Sequence, residues 1–289
     1  MLLIFMSFVL LRLLPGGPYD DEGRIHPLVR ERLEEAWGLK EDLFRQFFLY
    51  TKSVAEFELG YSLQNPGQSV ASLIASRFSH TWRLNLLACG FVLAVSTLFS
   101  VLAFSSERYK KIIFWYQRFV FAVPILFLAP LLMLIFSFLL EWLPFAFLES
   151  PVSYILPLVV LCVRPIAILS EIQIRHQDDV MKQNFMLVAR AKGLQESRLF
   201  FVHVLKNTLP TSCAYLPDIL VGLISGSFLV EILFSIPGVG LLFVESLGER
   251  DYPLIVGITL LFGMLFIFLS QFVEYLNRSV DPRKQVDLT

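Results

Sequence analysis

Charge is scarce in this 289-residue chain, because Asp, Glu, Lys and Arg together make up only 17% of the residues. Apolar residues account for 56%, phenylalanine alone occurs 28 times, and the mean hydropathy is +0.66. A water-soluble chain of this size has too little interior to hide that much apolar surface. The composition therefore excludes an ordinary soluble domain and predicts a membrane protein.

Several features that carry chemistry are also missing. The three cysteines (Cys89, Cys162 and Cys213) all lie in apolar runs, so we interpret them as small hydrophobic residues rather than as disulfide partners or metal ligands. There is no Gly-x-x-x-x-Gly-Lys-Ser/Thr, no His-Glu-x-x-His and no Gly-x-Ser-x-Gly. We therefore expect no P-loop nucleotide site and no catalytic residues. The net charge of −1 says nothing about nucleic-acid or acidic partners, and no nucleic-acid partner is expected.

Long apolar runs predict six membrane-spanning helices. The first, residues 1–14, covers only about 20 Å as a helix, which is short of the roughly 30 Å hydrocarbon core. We expect a span whose upstream residues are missing. A cleaved signal peptide is the alternative, but no small-x-small cleavage site follows. The other spans are expected at about 84–104, 119–140, 151–173, 208–234 and 253–273, with Pro124 and Pro130 as kinks.

The basic residues orient these spans. Residues 105–118, 174–207 and the chain after 273 carry thirteen Lys and Arg, whereas 141–150 and 235–252 carry only Arg250. Because short cytoplasmic loops are rich in Lys and Arg, both termini and the tail 278–289 are expected in the cytoplasm. Residues 15–79 are then an extracytoplasmic segment with short helices, including one over 69–78. The five-span core occupies 80–277.

One basic connection, the 184–207 loop, is longer than the topology needs. Ala189, Ala191 and Gly193 are small, which permits another backbone to approach closely. Lys192-Gly193 is typical of a helix end with a glycine cap, and a second helix is predicted over Glu196–Lys206. A helix, a small-residue turn and a helix together indicate a docking element. The alternative is a basic loop that meets anionic lipid.

The residues of this loop resemble a known family. Ala189-Arg190-Ala191-Lys192-Gly193-Leu194 is similar to the coupling loop of bacterial ABC-importer permeases of the dipeptide/oligopeptide/nickel branch. The likeness continues downstream through Val230-Glu231, Pro237-Gly238-x-Gly240 and Arg250-Asp251-Tyr252-Pro253. Upstream, Leu14-Pro15-Gly16-Gly17-Pro18 and Leu59-Gly60-Tyr61-Ser62 resemble the first of the two permease subunits. Residues 171–184 depart from the usual pattern, and Leu187-Val188 stands where the general signature has Glu-Ala.

The resemblance implies an all-α membrane protein with the type I ABC-importer permease fold and a cytoplasmic coupling helix. It implies a second homologous permease, two cytoplasmic ATPase subunits that bind ATP and Mg, an extracytoplasmic solute-binding protein, and contact with membrane lipid. No cofactor is expected on this chain. The cargo would be short peptides, moved inward by alternating access. The residues expected to contact the ATPase are Ala189, Arg190, Ala191, Lys192, Gly193, Leu194, Glu196, Ser197 and Arg198.

Ionisable residues within spans are costly and are treated as functional candidates. Arg164 and Asp218 either pair with each other or line the passage. Glu231 and Glu245 lie near the external face, where they contact the binding protein or cargo, or are simply solvated. Pro237, Gly238 and Gly240 form a tight external turn, part of the external mouth in the family. His176 with Asp178 and Asp179 is typical of a solvated loop, so no metal site is expected.

Two other functions remain open from the residues. In the first, the chain belongs to the same class of importer, and its cargo is nickel or another small solute. A membrane enzyme or channel that works without ATPases is a different class, and association with an ATPase subunit separates it from the importer.

Overall fold

The computed structural model describes residues 59–65, 67–144 and 151–280, together with Arg45 and Phe48. The expected first span at 1–14, most of the segment 15–79 and residues 281–289 of the tail lie outside the described residues. The described chain is helical, apart from short loops and one isolated bridge between Tyr61 and Ser69. Its α-helices are α1 (Val70–Ser105), α2 (Glu107–Ala122), α3 (Ile125–Met133), α4 (Ile155–Met181), α5 (Asn184–Ala191), α6 (Glu196–Leu199), α7 (Leu205–Ala214), α8 (Leu216–Leu233), α9 (Val239–Gly248) and α10 (Tyr252–Val280).

Four helical stretches of the described chain are long and apolar enough to cross a bilayer: Val70–Ser105, Pro151–Met181, Leu216–Leu233 and Tyr252–Phe272. The pair Glu107–Ala122 and Ile125–Leu139 provides a fifth if it is counted as one broken span. An all-α membrane protein is thus confirmed. The sixth span, expected at 1–14, stays a prediction because it lies outside the described residues.

The expected straight span over 119–140 differs from the structure. The axes of the two helices are bent by 108° between Ala122 and Ile125. The N–H of Val123 still bonds to the carbonyl of Phe119, but Pro124 is extended (φ −63°, ψ 141°) and has no N–H with which to continue the helix. Proline acts here as a break rather than a kink. Helix α2 begins at Glu107, twelve residues earlier than the expected span.

Other boundaries also shift. Residues 69–78, expected as a separate short helix, are largely the first turns of the continuous α1. Helix α4 extends to Met181, beyond the expected end at 173. The expected span 208–234 is divided at Tyr215 into α7 and α8, with Pro210 inside α7 and Pro217 in the first turn of α8. In α1 and α4, helical hydrogen bonding continues beyond the apolar run that predicted the span. In 208–234, it is interrupted within the run.

The described residues divide into two compact units, one within residues 1–80 and 237–267 and the other within residues 81–236 and 268–289. In the first, the buried core contains Val70, Ile74, Val239, Leu242, Leu254 and Ile258. Gly257 allows close packing there, because a Cβ at this position would lie 2.6 Å from Cγ1 of Val70.

A buried carboxylate ties the first unit together. Asp251 is fully buried; it accepts hydrogen bonds from the Ser62 hydroxyl and, at 3.2 Å, from the backbone N–H of Leu63. The same side chain accepts from the N–H of Leu254 at 3.3 Å, in the first turn of α10. One side chain thus holds both the 59–65 loop and the start of α10.

The second unit is built around α4. Its main core joins residues of α1, α3, α4 and α8, including Leu84, Ala88, Val92, Met133, Leu161, Leu169, Leu223 and Phe234. Gly226 of α8 lies close to α4, since an added Cβ would be 3.2 Å from Cδ1 of Leu161. The three cysteines are free thiols: Cys162 is buried, Cys89 is half-buried and Cys213 is exposed.

Candidate functional site

The 184–207 loop has the helix–turn–helix form expected from its sequence. Helix α5 ends at Ala191, and Gly193 follows in the left-handed region with φ +72°. The N–H groups of Lys192 and Gly193 bond to the carbonyls of Val188 and Arg190, which closes the helix end. Gln195 is extended, and α6 starts at Glu196. The predicted glycine cap and helix restart are therefore confirmed.

The chain stays helical after α6, but its geometry changes. Residues Phe200–Val204 form a π-helix, and α7 continues from Leu205. A π-turn inserts an extra residue per turn and is frequent at functional sites. Here it widens the segment that joins the exposed turn to the next membrane helix.

A separate apolar cluster anchors the loop to the second unit. Its buried members are Val180, Met186, Ala189, Leu199, Phe200 and Val204. They pack with Val101 and Phe104 near the end of α1 and with Met181 at the end of α4. The rings of Phe104 and Phe200 are 4.8 Å apart between centroids. The base of the loop is therefore packed directly against the ends of α1 and α4.

The tip of the loop is open to solvent in the single chain. Seven of the nine candidate contact residues are exposed: Arg190, Ala191, Lys192, Gly193, Glu196, Ser197 and Arg198. Arg190 and Glu196 face each other across the turn, with 3.9 Å between guanidinium nitrogen and carboxylate oxygen. Leu194 is half-buried, and Ala189 is buried in the anchoring cluster. Ala189 thus lies on the packed side of α5 rather than on the exposed contact surface.

Exposed apolar side chains flank the tip, and the sequence analysis did not include them among the expected contact residues. Leu187 is 61% exposed, Val188 55% and Phe201 59%, and Val202 is exposed as well. Together with the tip they form a surface that is apolar at its sides and charged at its centre. Exposed apolar groups beside charged ones are found at protein-binding and at membrane-binding surfaces.

A row of buried polar residues, here called the polar ladder, continues inward from the anchored loop along α4. Ser170, Gln173 and Gln177 are buried, and their spacing places them on one face of the helix. The Ser100 hydroxyl donates to Oε1 of Gln177 at 2.8 Å. The Gln173 amide donates to Thr97 Oγ1 at 3.3 Å, and the Gln117 amide donates to Ser170 Oγ at 3.0 Å.

The polar ladder links three helices, because Thr97 and Ser100 belong to α1 and Gln117 belongs to α2. At the same end, the ammonium of Lys110 lies 2.9 Å from Oδ1 of Asp178. Asp179 pairs with Lys182 at 3.6 Å, so both carboxylates considered beside His176 have lysine partners. The 3.6-residue spacing of Ser170, Gln173 and Gln177 is the sequence signal that could have indicated the ladder.

The intramembrane candidates are not brought together. Arg164 and Asp218 are both exposed, and no ion pair joins them in the part of the chain that the structure describes, so the pairing interpretation is wrong. Their role as pathway lining stays a prediction. Glu231 is fully buried in α8, which excludes the interpretation of a solvated interface acid. One turn earlier, Ser227 Oγ accepts a 2.9 Å hydrogen bond from the Asn85 amide of α1.

The expected external residues lie at helix ends. Ser235 has φ +51°, and the N–H of Ile236 bonds to the carbonyl of Glu231, which ends α8. In the first unit, Gly238 is the N-cap of α9, Gly240 is buried, and Pro237 is half-buried. Glu245 of α9 is paired with Arg77 of α1 at 3.9 Å. These residues form turns and helix starts. That Pro237, Gly238 and Gly240 belong to the external mouth stays a prediction.

Comparison with known proteins decides the family. The family described as "Binding-protein-dependent transport system inner membrane component" matches residues 88–286. The chain belongs to this permease family. The permease is 34% identical over 286 residues to "Oligopeptide transport system permease protein OppB" of Haemophilus influenzae, which covers 98% of this chain and 94% of that protein. It is 30% identical over 281 residues to "Dipeptide transport system permease protein DppB" of Bacillus subtilis, covering 96% and 91%.

A solved structure supports the fold. The chain described as "Crystal structure of an amino acid ABC transporter with histidines" superposes with a TM-score of 0.56 at 14% identity, covering 72% of this permease and 94% of that chain. At this identity the likeness shows the fold alone. The family resemblance and the ABC-importer permease fold are thus confirmed.

Family membership defines the role of the chain. It is a permease subunit of a binding-protein-dependent ABC importer, it is a transport component rather than an enzyme, and it belongs to the inner membrane. Such a subunit works with ATPase subunits and a binding protein.

Proposed function

We propose that this permease moves short peptides into the cell by ATP-driven alternating access. Peptides are proposed as the cargo because the chain aligns over nearly its whole length with relatives named for peptides. It is 34% identical to an oligopeptide permease and 30% identical to a dipeptide permease. Labelled dipeptides and oligopeptides, compared with nickel, test it in a strain lacking the gene. Loss of peptide uptake is expected, and loss of nickel uptake alone would overturn the assignment.

The 184–207 loop is the segment that we propose contacts the ATPase subunit and is moved by it. Its tip, Arg190–Arg198, is exposed, carries small residues at Ala191 and Gly193, and is flanked by exposed apolar side chains. Its base is buried against the ends of α1 and α4. This combination of an open tip and a fixed base suits a segment that docks in a cleft of a partner and transmits motion. Arg190, Lys192 and Arg198 would orient the tip against acidic groups of the ATPase.

The assembly completes the proposal. A second homologous permease faces this one, and two ATPase subunits, which bind ATP and Mg, contact one loop on each permease. ATP binding closes the ATPases, the loops move, and the bundles rock between inward- and outward-facing states. The polar ladder supports such a movement, because it ties α1, α2 and α4 into one body behind the loop.

The orientation of the chain is part of the same proposal. The concentration of Lys and Arg in residues 105–118, 174–207 and the tail supports a cytoplasmic loop and cytoplasmic termini. A Ser197→Cys substitution, in a variant whose native cysteines are replaced by serine, tests the side. A membrane-impermeant maleimide should label it in inside-out vesicles and not in intact spheroplasts. Labelling in spheroplasts alone would contradict the orientation.

A further inference from the structure

Helix α2 has one packed face and one open face. Ile113, Gln117 and Val120 are buried, and the hydroxyl of Tyr116 donates a 2.8 Å hydrogen bond to the carbonyl of Val163 in α4. The opposite face carries Arg108, Lys111, Trp115 and Arg118, whose 3–4–3 spacing aligns them along the helix. All four are exposed, Trp115 to 67%. This row is called the basic face.

The cations of the basic face make no ion pair within the part of the chain that the structure describes. Lys110, on the packed side, pairs with Asp178, but no described carboxylate lies within 4 Å of the charged groups of Arg108, Lys111 or Arg118. Glu107 is four residues before Lys111 and still makes no ion pair with it. Charged groups at a membrane-facing helix are stable when they reach the interface or meet a counter-charge.

The side chain of Arg118 points toward the start of α2. Its guanidinium carbon lies 4.1 Å from the ring centroid of Phe114 and 5.9 Å from that of Trp115. Both rings are one turn nearer the start of α2, so the side chain runs back along the helix. The Cα of Arg118 is eleven residues after Glu107, about 16 Å along the axis. Because the side chain runs back along the helix, the charge of Arg118 lies nearer to Lys111 and Arg108 than its Cα does. The axial distance from Glu107 to this charge is therefore shorter than the distance to the Cα.

We propose that the basic face of α2 binds the headgroup of an anionic phospholipid from the cytoplasmic leaflet. The phosphate lies among the three cations, and the acyl chains run along the exposed Ile112, Trp115 and Phe119. Charge complementarity selects this occupant, because three aligned cations that make no ion pair with a described carboxylate match a phosphate, and tryptophan favours the interfacial depth. The inference rests on the proposed function only for the cytoplasmic placement of the start of α2.

Lipid selectivity is measured on the full chain with Trp115 as the probe. The other tryptophans are replaced by phenylalanine: Trp37, Trp82 and Trp142. Quenching of Trp115 by brominated phosphatidylglycerol is compared with quenching by brominated phosphatidylcholine in mixed bilayers. The variants are Arg118→Gln, Lys111→Gln and Arg108→Gln, singly and together. Arg175→Gln is the matched control, because this exposed cation is already paired with Glu171.

The expected result is selectivity for phosphatidylglycerol that falls about fivefold for each cation removed and is unchanged in Arg175→Gln. Equal quenching by both lipids, or full selectivity in the triple variant, would overturn the site. The readout needs neither cargo nor ATP. A failed lipid test therefore leaves the importer assignment intact, and failed peptide uptake leaves the lipid site intact.

A second measurement separates lipid from protein as the occupant. A photo-cross-linking residue replaces Trp115 in the assembled complex in native membrane. Lipid adducts support the proposal. Adducts to the second permease alone would show that this face is a subunit contact and would overturn it.

Discussion

The polar ladder makes a quantitative prediction about how α1, α2 and α4 hold together. Its three interhelical hydrogen bonds measure 2.8, 3.0 and 3.3 Å; the first two are buried, and the third, from Gln173 to Thr97, is partly buried. Interhelical hydrogen bonds in membrane proteins are worth about 0.6 kcal/mol each on average and at most about 1.7. Three such bonds therefore contribute about 2 kcal/mol, which is about a thirtyfold preference for the tied arrangement.

The shortest bond, from Ser100 to Gln177, is the one to perturb. Gln177→Leu keeps a similar volume and removes the acceptor, while the released serine hydroxyl can bond within its own helix. A double-mutant cycle with Ser100→Ala should return a coupling energy of about 0.6 kcal/mol in the unfolding of the purified permease. Ser96→Ala is the matched control, because this buried serine of α1 bonds to the carbonyl of Leu93 in its own helix.

Transport provides the functional half of that test. In the assembled importer, Gln177→Leu combined with Gln173→Leu should lower the number of peptides transported per ATP hydrolysed. The two substitutions remove the hydrogen bonds that join α4 to α1, so the two helices follow the movement of the loop less closely together. The ATPase rate and the subunit composition should be preserved. A coupling energy of zero, together with an unchanged ratio of peptide to ATP, would refute the role of the ladder.

Three further perturbations test the packing. Gly257→Ala should destabilise the permease by about 1–3 kcal/mol in denaturant unfolding, since the new Cβ meets Val70, and Val70→Ala in the same chain should restore most of the loss. Asp251→Ala should cost about 1–3 kcal/mol by removing a helix cap and the acceptor of Ser62, whereas Asp251→Asn should cost less in the same assay. Phe200→Ala should loosen the anchoring cluster and speed protease cleavage near residue 195, and unchanged cleavage would argue against the anchor.

The local features of the 184–207 loop could be predicted because local chemistry determines them. Gly193 adopts φ +72°, which glycine reaches without steric cost, so the end of α5 is encoded in two residues. Which side of α5 is buried could not be predicted in the same way. Ala189 faces the anchoring cluster because α1 and α4 lie there, and small size alone does not distinguish a packed alanine from a docking alanine.

The membrane helices likewise combine features that could be predicted from the sequence with features that could not. Apolar runs indicated five helical regions that overlap the observed helices, because a bilayer requires about twenty apolar residues per crossing. Their boundaries differed by up to about fourteen residues, and two of the five regions are broken. Proline marked the site of the break at Pro124, but the 108° bend depends on what packs around α2 and α3. The polar ladder and the bond between Asn85 and Ser227 depend on which helices are neighbours, and hydropathy carries no information about neighbours.

Gly193→Asp, with Gly67→Asp as its control, tests the coupling role of the 184–207 loop most directly. Both glycines have positive φ, +72° and +92°, and an added Cβ would meet no atom within 4 Å at either position, so the two substitutions impose similar backbone strain. The measurement is the number of peptides transported per ATP hydrolysed in the reconstituted importer. Gly193→Asp should insert normally and lose transport coupled to ATP hydrolysis, while Gly67→Asp retains it. A wild-type ratio in Gly193→Asp would contradict the coupling role of the loop.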